Sequence, residues 1–312
     1  MLNDSAASAL LGLLQALTHD GYAFVSITPA SHARIIRRRS EGETLRDVFG
    51  WNLPFLPAAI PARYLDLLQA AGALEGAVDE HGRVRSRVRV SSLDGALFLH
   101  SAYPTSGESD IFFGPDTYRY VNLIREELPA LGPVSRIVDL GAGTGAGGIM
   151  AARLAPGARV TLTDINRKAL DMAAINAAKA GTLVDLVEAT GLDDVEGAVD
   201  LVIANPPYIM DDDDRAYRNG GGMHGAALSF EWATAVARRL ASGGNMILYT
   251  GVSIIDGQDE LRSALDEALP DLGCTLRYRE IDPDVFGEEL DKPQYRDVER
   301  IAAIGAVITK KG

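Results

Sequence analysis

A glycine-rich segment in the middle of the chain constrains the fold more than any other feature. It reads Val-Asp-Leu-Gly-Ala-Gly-Thr-Gly-Ala-Gly over residues 138–147, and an apolar run typical of a β-strand leads into it. Glycines at alternate positions let the backbone turn tightly and approach a ligand closely. The segment therefore predicts a strand, a tight loop and a helix in succession.

Strands and helices alternate from residue 137 onward, which is typical of a parallel α/β sheet. The predicted strands are residues 135–140, 159–163, 183–188, 201–204, 245–250, 275–281 and 301–308, and the predicted helices include 167–180, 229–240 and 259–269. We expect a seven-stranded, Rossmann-like sheet in this part of the chain.

The first hundred residues have a different pattern. Helical periodicity occurs at 6–17, 44–49 and 61–73, whereas residues 83–91 alternate and are followed by Asp94-Gly95 and an apolar run, which predicts a hairpin. Helices followed by a hairpin would suit a winged helix. We place a boundary at the polar loop near residue 110, with a smaller α+β domain at 1–110 and the α/β domain at 111–312.

Composition narrows the class of protein. The chain has 312 residues, 47% of them hydrophobic and 23% charged, which suits two globular domains. No apolar run approaches the roughly 18 residues of a membrane helix, and the start lacks a basic signal-peptide region, so we expect a cytoplasmic protein without membrane contact. Cys274 is the only cysteine, which excludes an internal disulfide and a Cys-based zinc cluster, and we expect no metal site.

An acidic residue beyond the glycine loop indicates a nucleoside-containing cofactor. Asp164 ends the next predicted strand, 23 residues after Gly141. A carboxylate at this position can accept hydrogen bonds from both hydroxyls of a ribose. The loop also satisfies a loose dinucleotide fingerprint with Ala146 in the third place. Asp139 favours S-adenosylmethionine instead, because an acid there suits an ammonium group and would oppose a pyrophosphate.

With this glycine loop and distal acid, residues 111–312 resemble a class I S-adenosylmethionine-dependent methyltransferase. The resemblance implies binding of S-adenosylmethionine and release of S-adenosylhomocysteine. It assigns five loop residues to the methionine part of the cofactor: Asp139, Gly141, Ala142, Gly143 and Gly145. It assigns Asp164 and Ile165 to the ribose and the adenine, and it places the Thr190 hydroxyl where relatives often have an adenine-binding acid.

The sequence Asn205-Pro206-Pro207-Tyr208 follows the fourth predicted strand of this sheet. A carboxamide or nucleobase nitrogen has a delocalised lone pair and is a poor nucleophile. The Asn205 side-chain oxygen and the Pro206 carbonyl can accept hydrogen bonds from its two N–H groups and so orient the lone pair. Pro207 sets the turn, and Tyr208 offers a face on which a flat substrate can stack. A plain Pro-Pro turn is the alternative.

This motif, with Ile209 behind it, resembles the HemK or PrmC group of release-factor glutamine methyltransferases, as does Phe-Gly-Pro-Asp-Thr at 113–117. The resemblance implies a glutamine amide in a protein as substrate. The early part departs from that group, whose recognition domain is a helical bundle. An exocyclic amine of adenine or guanine in RNA or DNA, a small nitrogen compound, and a non-catalytic cofactor-sensing protein remain open as alternatives.

Charge gives conflicting indications about the substrate. The net charge is −13, but residues 1–110 carry only −2, from 10 Arg and 12 acidic residues. Their arginines form two groups that could contact nucleic acid: Arg34, Arg37, Arg38 and Arg39, and Arg83, Arg85, Arg87 and Arg89 on one face of a predicted strand. The four aspartates at 211–214 would instead repel phosphate, and the glycine-rich segment around His224 could form a lid.

Overall fold

The computed structural model describes residues 3–39, 41–105, 107–210 and 219–312. The α-helices are α1 (Asp4–His19), α2 (Pro29–Ile36), α3 (Leu45–Phe49), α4 (Ala62–Ala70), α5 (Pro115–Glu127), α6 (Ala146–Leu154), α7 (Arg167–Ala180), α8 (Ala227–Arg239) and α9 (Glu260–Asp271). The strands are β1 (Leu74–Glu75), β2 (Arg85–Ser86), β3 (Val88–Leu93), β4 (Ala96–Ser101), β5 (Arg136–Leu140), β6 (Arg159–Asp164), β7 (Val184–Glu188), β8 (Val199–Ala204), β9 (Leu240–Ile255), β10 (Gln258–Asp259), β11 (Cys274–Asp282) and β12 (Arg300–Lys310).

The chain divides into two compact units that are not continuous in sequence. The first unit comprises Met1–Tyr118, Gly143–Ala146 and Asn166–Leu183; the second comprises Arg119–Ala142, Gly147–Ile165 and Val184–Gly312. Helix α7 thus belongs to the first unit, although it lies far beyond residue 110. The boundary near residue 110 remains a prediction about where functions separate.

The first unit packs helices against a hairpin. Strands β3 and β4 pair antiparallel across Asp94 and Gly95, both with positive φ, as the predicted Asp-Gly hairpin turn requires. Leu13 and Leu14 of α1, Val90 and Leu99 of the hairpin and Met172 of α7 share one apolar core. Asn176 fastens α7 to the hairpin, because its side chain accepts from the Leu99 N–H at 2.8 Å and donates to the Leu99 carbonyl at 3.1 Å.

The second unit contains the predicted α/β sheet. Its strand order is β11-β12-β9-β8-β5-β6-β7, with β10 added antiparallel beside β9. Strands β5 to β9 are parallel, and β12 runs antiparallel between β9 and β11. This arrangement confirms the expected α/β architecture, and the two-residue strand β10 adds an eighth strand to the seven that were predicted.

One predicted strand is divided in the structure. Residues 83–91 were expected to alternate between a buried face and an exposed one, but β2 pairs with β1 and only β3 joins the hairpin. Residues 88–91 are all buried, because both faces of β3 are covered. Helix α2 was not predicted, since a Pro at its start and a short polar sequence give little periodic signal.

Candidate functional site

The carboxyl ends of the parallel strands bring the predicted site residues to one edge of the sheet. Leu140 at the end of β5 pairs with Thr163 of β6 on one side and with Ala204 of β8 on the other. Gly141, Asp164 and Asn205 directly follow these three positions. Ligands of open α/β sheets bind at such edges, where neighbouring loops diverge.

The glycine loop adopts the conformation that its sequence predicts. Gly141, Gly143 and Gly145 have φ of +69°, +54° and +75°, a region that other residues rarely adopt. A Cβ on Gly141 would lie 2.7 Å from Cη2 of Trp232, whereas a Cβ on Gly143 would meet no atom within 4 Å. Gly141 is therefore required by packing against α8, and Gly143 borders the open space that a ligand needs.

Asp139 is engaged with its own unit. Its carboxylate is 1% exposed, and it accepts from the Tyr120 hydroxyl at 2.9 Å and from the Gly148 N–H at 2.7 Å. Burial raises the pKa of Asp139 to about 6, although both hydrogen bonds act to lower it. The side chain fastens the first turn of α6 to β5, and its contact with a ligand ammonium stays a prediction.

Acidic side chains flank the next strand ends. Asp164 ends β6, is partly exposed, and pairs in register with Glu188 at the end of β7, which is exposed. Ile165 is 50% exposed, and Thr190 is exposed two residues beyond β7. The ends of β6 and β7 thus carry the predicted Asp164, Ile165 and Thr190 together with Glu188, and their contact with a ribose and an adenine stays a prediction.

The Asn-Pro-Pro-Tyr motif leaves β8 at the same edge. Asn205 is partly exposed and Pro206 is buried. The expectation that Tyr208 offers an open stacking face is wrong: the residue is 7% exposed, because its ring packs over Gly251 of β9 and against Phe286. A Cβ on Gly251 would lie 2.2 Å from that ring. The Tyr208 ring is therefore packed into the protein.

Two strained residues lie behind the motif. Met223 and His224 have φ of +51° and +49°, and the next residue, Gly225, leaves room for the Tyr208 carbonyl, which a Cβ would approach to 2.2 Å. His224 Nδ1 lies 3.5 Å from Glu260 Oε2. The glycine-rich segment thus packs against the motif at Gly225. The four aspartates at 211–214 lie outside the described residues.

Comparison with known proteins agrees with this arrangement. The methyltransferase small domain model matches residues 121–250, which include the glycine loop and the Asn-Pro-Pro-Tyr motif. The release factor glutamine methyltransferase of Deinococcus radiodurans is 31% identical over 218 residues, covering 68% of this chain and 76% of that protein. Its counterpart from Chlorobaculum tepidum is 30% identical over 215 residues, covering 62% and 72%. This chain belongs to the HemK/PrmC-like class I methyltransferases.

The methyltransferase uses S-adenosylmethionine as its methyl donor, as the family does. A shorter similarity links it to a ribosomal RNA small subunit methyltransferase C of Haemophilus influenzae, 37% identical over 83 residues, which cover 27% of this chain and 25% of that one. Among the described residues, no group of His, Cys, Asp or Glu is arranged to hold a metal ion. None of the described helices is long and apolar enough to cross a membrane.

The arginines of this methyltransferase do not form the expected face. Arg89 is 6% exposed and donates to the Gly50 carbonyl at 2.9 Å, so it cannot line an exposed surface. Arg83 is paired with Asp79 at 2.6 Å. The proposed strand face is therefore wrong at Arg89. The exposed positions of the two groups are Arg34, Arg37, Arg38, Arg39 and Arg87, and Arg85 is partly exposed.

Three residues that contact or flank the predicted site residues at this edge were not predicted from the sequence. Tyr120 holds Asp139, Trp232 packs on Gly141, and Glu188 lies beside Asp164. Only Glu188 carried a usable signal, as an acid at the end of a predicted strand. The other two are aromatic residues of amphipathic helices, which a periodic pattern assigns to the core.

Proposed function

We propose that this protein transfers a methyl group to the side-chain amide nitrogen of a glutamine in a protein. The proposal is supported by the names of the relatives that it matches over about 70% or more of their length, both release factor glutamine methyltransferases. The observation that carries it is the position of Asn205, partly exposed at the strand edge beside the glycine loop.

The chemistry follows from the acceptors that the motif presents. The Asn205 side-chain oxygen and the Pro206 carbonyl accept hydrogen bonds from the two N–H groups of the amide, which fixes the orientation of the amide plane. Bound S-adenosylmethionine supplies an electrophilic methyl group on a sulfonium. The nitrogen–carbon bond forms as the sulfur–carbon bond breaks, and the nitrogen then loses one proton to solvent. The two acceptors stabilise the positive charge that develops on nitrogen.

We assign the cofactor to the edge formed by the glycine loop and the ends of β6 and β7. Asp164 accepts the ribose hydroxyls, and Ile165 contacts the adenine. Open space beside Gly143 and the exposed position of Ile165 fit such a ligand. The complete proposed set is Asp139, Gly141, Ala142, Gly143, Gly145, Asp164, Ile165, Thr190 and Asn205.

A nucleobase amine is the second candidate substrate. The relative named for ribosomal RNA methylation and the exposed arginines of α2 and its C-terminal end favour it. The burial of Tyr208 acts against it, because a flipped base needs an aromatic face to stack on.

The test is transfer of labelled methyl from S-adenosylmethionine to purified release factor, to the same protein with its acceptor glutamine changed to alanine, and to RNA. We expect label in the first alone. Asn205→Ala should lower kcat about a hundredfold or more through loss of an oriented acceptor, with cofactor affinity nearly intact because the other eight residues of the proposed cofactor set remain. Asp164→Ala should instead weaken cofactor affinity. Label in RNA alone, or undiminished turnover by Asn205→Ala, contradicts the proposal.

A further inference from the structure

The connection between β11 and β12, residues 283–299, reaches the edge of the sheet that carries the motif. Arg300 at the start of β12 pairs with Ile254 near the end of β9, and Asp282 at the end of β11 pairs with Ala303. Because β9 is parallel to β8, this connection and the residues after β8 lie at the same edge. Three of its side chains contact the motif or the residues that follow it.

The first contact holds the backbone directly after the motif. Tyr295 is 1% exposed, and its hydroxyl accepts from the Met210 N–H at 2.8 Å. The neighbouring Gln294 donates to the Met210 carbonyl at 3.4 Å. Both backbone polar groups of Met210 are thus bound by one short turn, Pro293–Tyr295, which fixes the exit of the chain from the motif.

The second contact acts on the motif itself. The Phe286 ring meets the Tyr208 ring edge-to-face, with centroids 5.8 Å apart and planes at 71°. Phe286 has φ of +56°, a conformation that a bulky residue rarely adopts and that persists only where the surroundings impose it. Gly251 supports the Tyr208 ring, so two elements hold it in place.

We propose that this connection is the positioning and specificity element of the methyltransferase, with Tyr295 and Phe286 as positioning residues. This inference rests on the proposed N-methyl transfer, and it names the part of the chain that selects the acceptor. Asn205 and Pro206 must meet two N–H bonds at once, and a displacement of about 1 Å costs about a hundredfold in rate. With the Tyr208 ring packed away, the acceptor is held by hydrogen bonds without stacking, which selects an aliphatic side-chain amide over a nucleobase.

The test compares Tyr295→Phe with Tyr278→Phe. The control removes another partly buried tyrosine hydroxyl of the same unit, one that donates to Asp259 at 2.5 Å and touches no part of the motif. We expect Tyr295→Phe to lower kcat on release factor about tenfold, with KM and S-adenosylmethionine affinity within about twofold of wild type. The control should lose thermal stability to a similar extent and keep its kcat.

The outcomes separate this inference from the proposed function. If wild-type protein transfers no methyl group to release factor, the proposed function fails. If wild type is active and Tyr295→Phe retains its kcat, or if both variants lose kcat in proportion to their stability, the positioning role alone is overturned. Phe286→Ala gives a second reading: we expect the ratio of release-factor to RNA methylation to fall, and an unchanged ratio contradicts the selection of an amide.

Discussion

Arg89 in the first unit and Asp139 in the second are both buried charged side chains, but they carry opposite charges and have opposite hydrogen-bonding roles. In the first unit, Arg89 is 6% exposed and donates to the Gly50 carbonyl, to Ser26 Oγ and to His32 Nδ1, all uncharged groups. In the second unit, Asp139 is 1% exposed and accepts from Tyr120 and from a backbone N–H. Dipoles supplied by the fold, and not an opposite charge, stabilise both ions.

The comparison shows how a buried ion constrains its neighbours. His32 Nε2 lies 3.0 Å from the Trp51 carbonyl, which only accepts, so Nε2 carries the hydrogen and Nδ1 presents its lone pair to Arg89. Burial and the nearby guanidinium lower the pKa of His32 to about 4, and burial also lowers the pKa of His100 well below its usual value. The histidines near Arg89 are therefore neutral.

The two regions respond to pH in opposite directions. Folding lowers the pKa of His32, so the unfolded chain binds more protons below pH 6.5, and stability is lost as pH falls from about 6.5 toward 4. Folding raises the pKa of Asp139 from 3.8 to about 6, so the folded chain binds more protons there, and stability is lost as pH rises through that range.

Asp139→Ala should have the largest effect on the free energy of unfolding. It leaves the buried Tyr120 hydroxyl and Gly148 N–H without this acceptor, which costs about 3 kcal/mol after relief of the buried charge. Tyr120→Phe, which removes one of the two bonds, should cost about 1 kcal/mol. Denaturant titration measures both. Equal stability of Asp139→Ala and wild type would show that the carboxylate does not fasten α6.

Arg89→Met should destabilise the protein by about 2 kcal/mol, because the Gly50 carbonyl and Ser26 lose a donor in a buried site. Arg87→Met is the matched control: it lies two residues away and is exposed, so its effect should stay within about 0.5 kcal/mol. The same titration compares them. Equal losses would mean that Arg89 is stabilised no differently from a surface arginine.

The smallest expected effect concerns pH. His32→Gln keeps a donor for the Trp51 carbonyl and an acceptor for Arg89 but does not titrate. Between pH 7 and pH 5.5, wild type should lose about 1 kcal/mol more of its free energy of unfolding than this variant. Parallel stability profiles for the two proteins would place the titration of His32 outside the folding equilibrium.

Sequence patterns were most reliable where local preference decides the conformation. The Asp94-Gly95 turn, helix α7 and the three loop glycines all follow from what single residues tolerate, and each was predicted within a few residues. Patterns failed where covering elements decide burial. The alternation at 83–91 could not show that both faces of β3 are covered, so it misplaced Arg89.

The same distinction holds in the candidate site. The glycine loop, the acid that ends β6 and the Asn-Pro-Pro-Tyr motif can be read from the sequence, because parallel strands place the residues after them at one edge. Nothing near Tyr208 in the sequence indicates that Phe286 and Gly251 cover its ring. The burial of the Tyr208 ring, which the sequence predicted to be a stacking face, therefore depends on residues more than 40 positions away.

By itself, the sequence determined the α/β class, the cofactor loop and the identity of the motif, since these depend on short-range periodicity and on backbone freedom. Only the tertiary structure decided which charged and aromatic side chains are buried. Ser26 lies 63 residues from Arg89, and Tyr295 lies 85 residues from Met210. Such contacts form only when distant segments pack together, and it is this packing that sets the environment of each side chain.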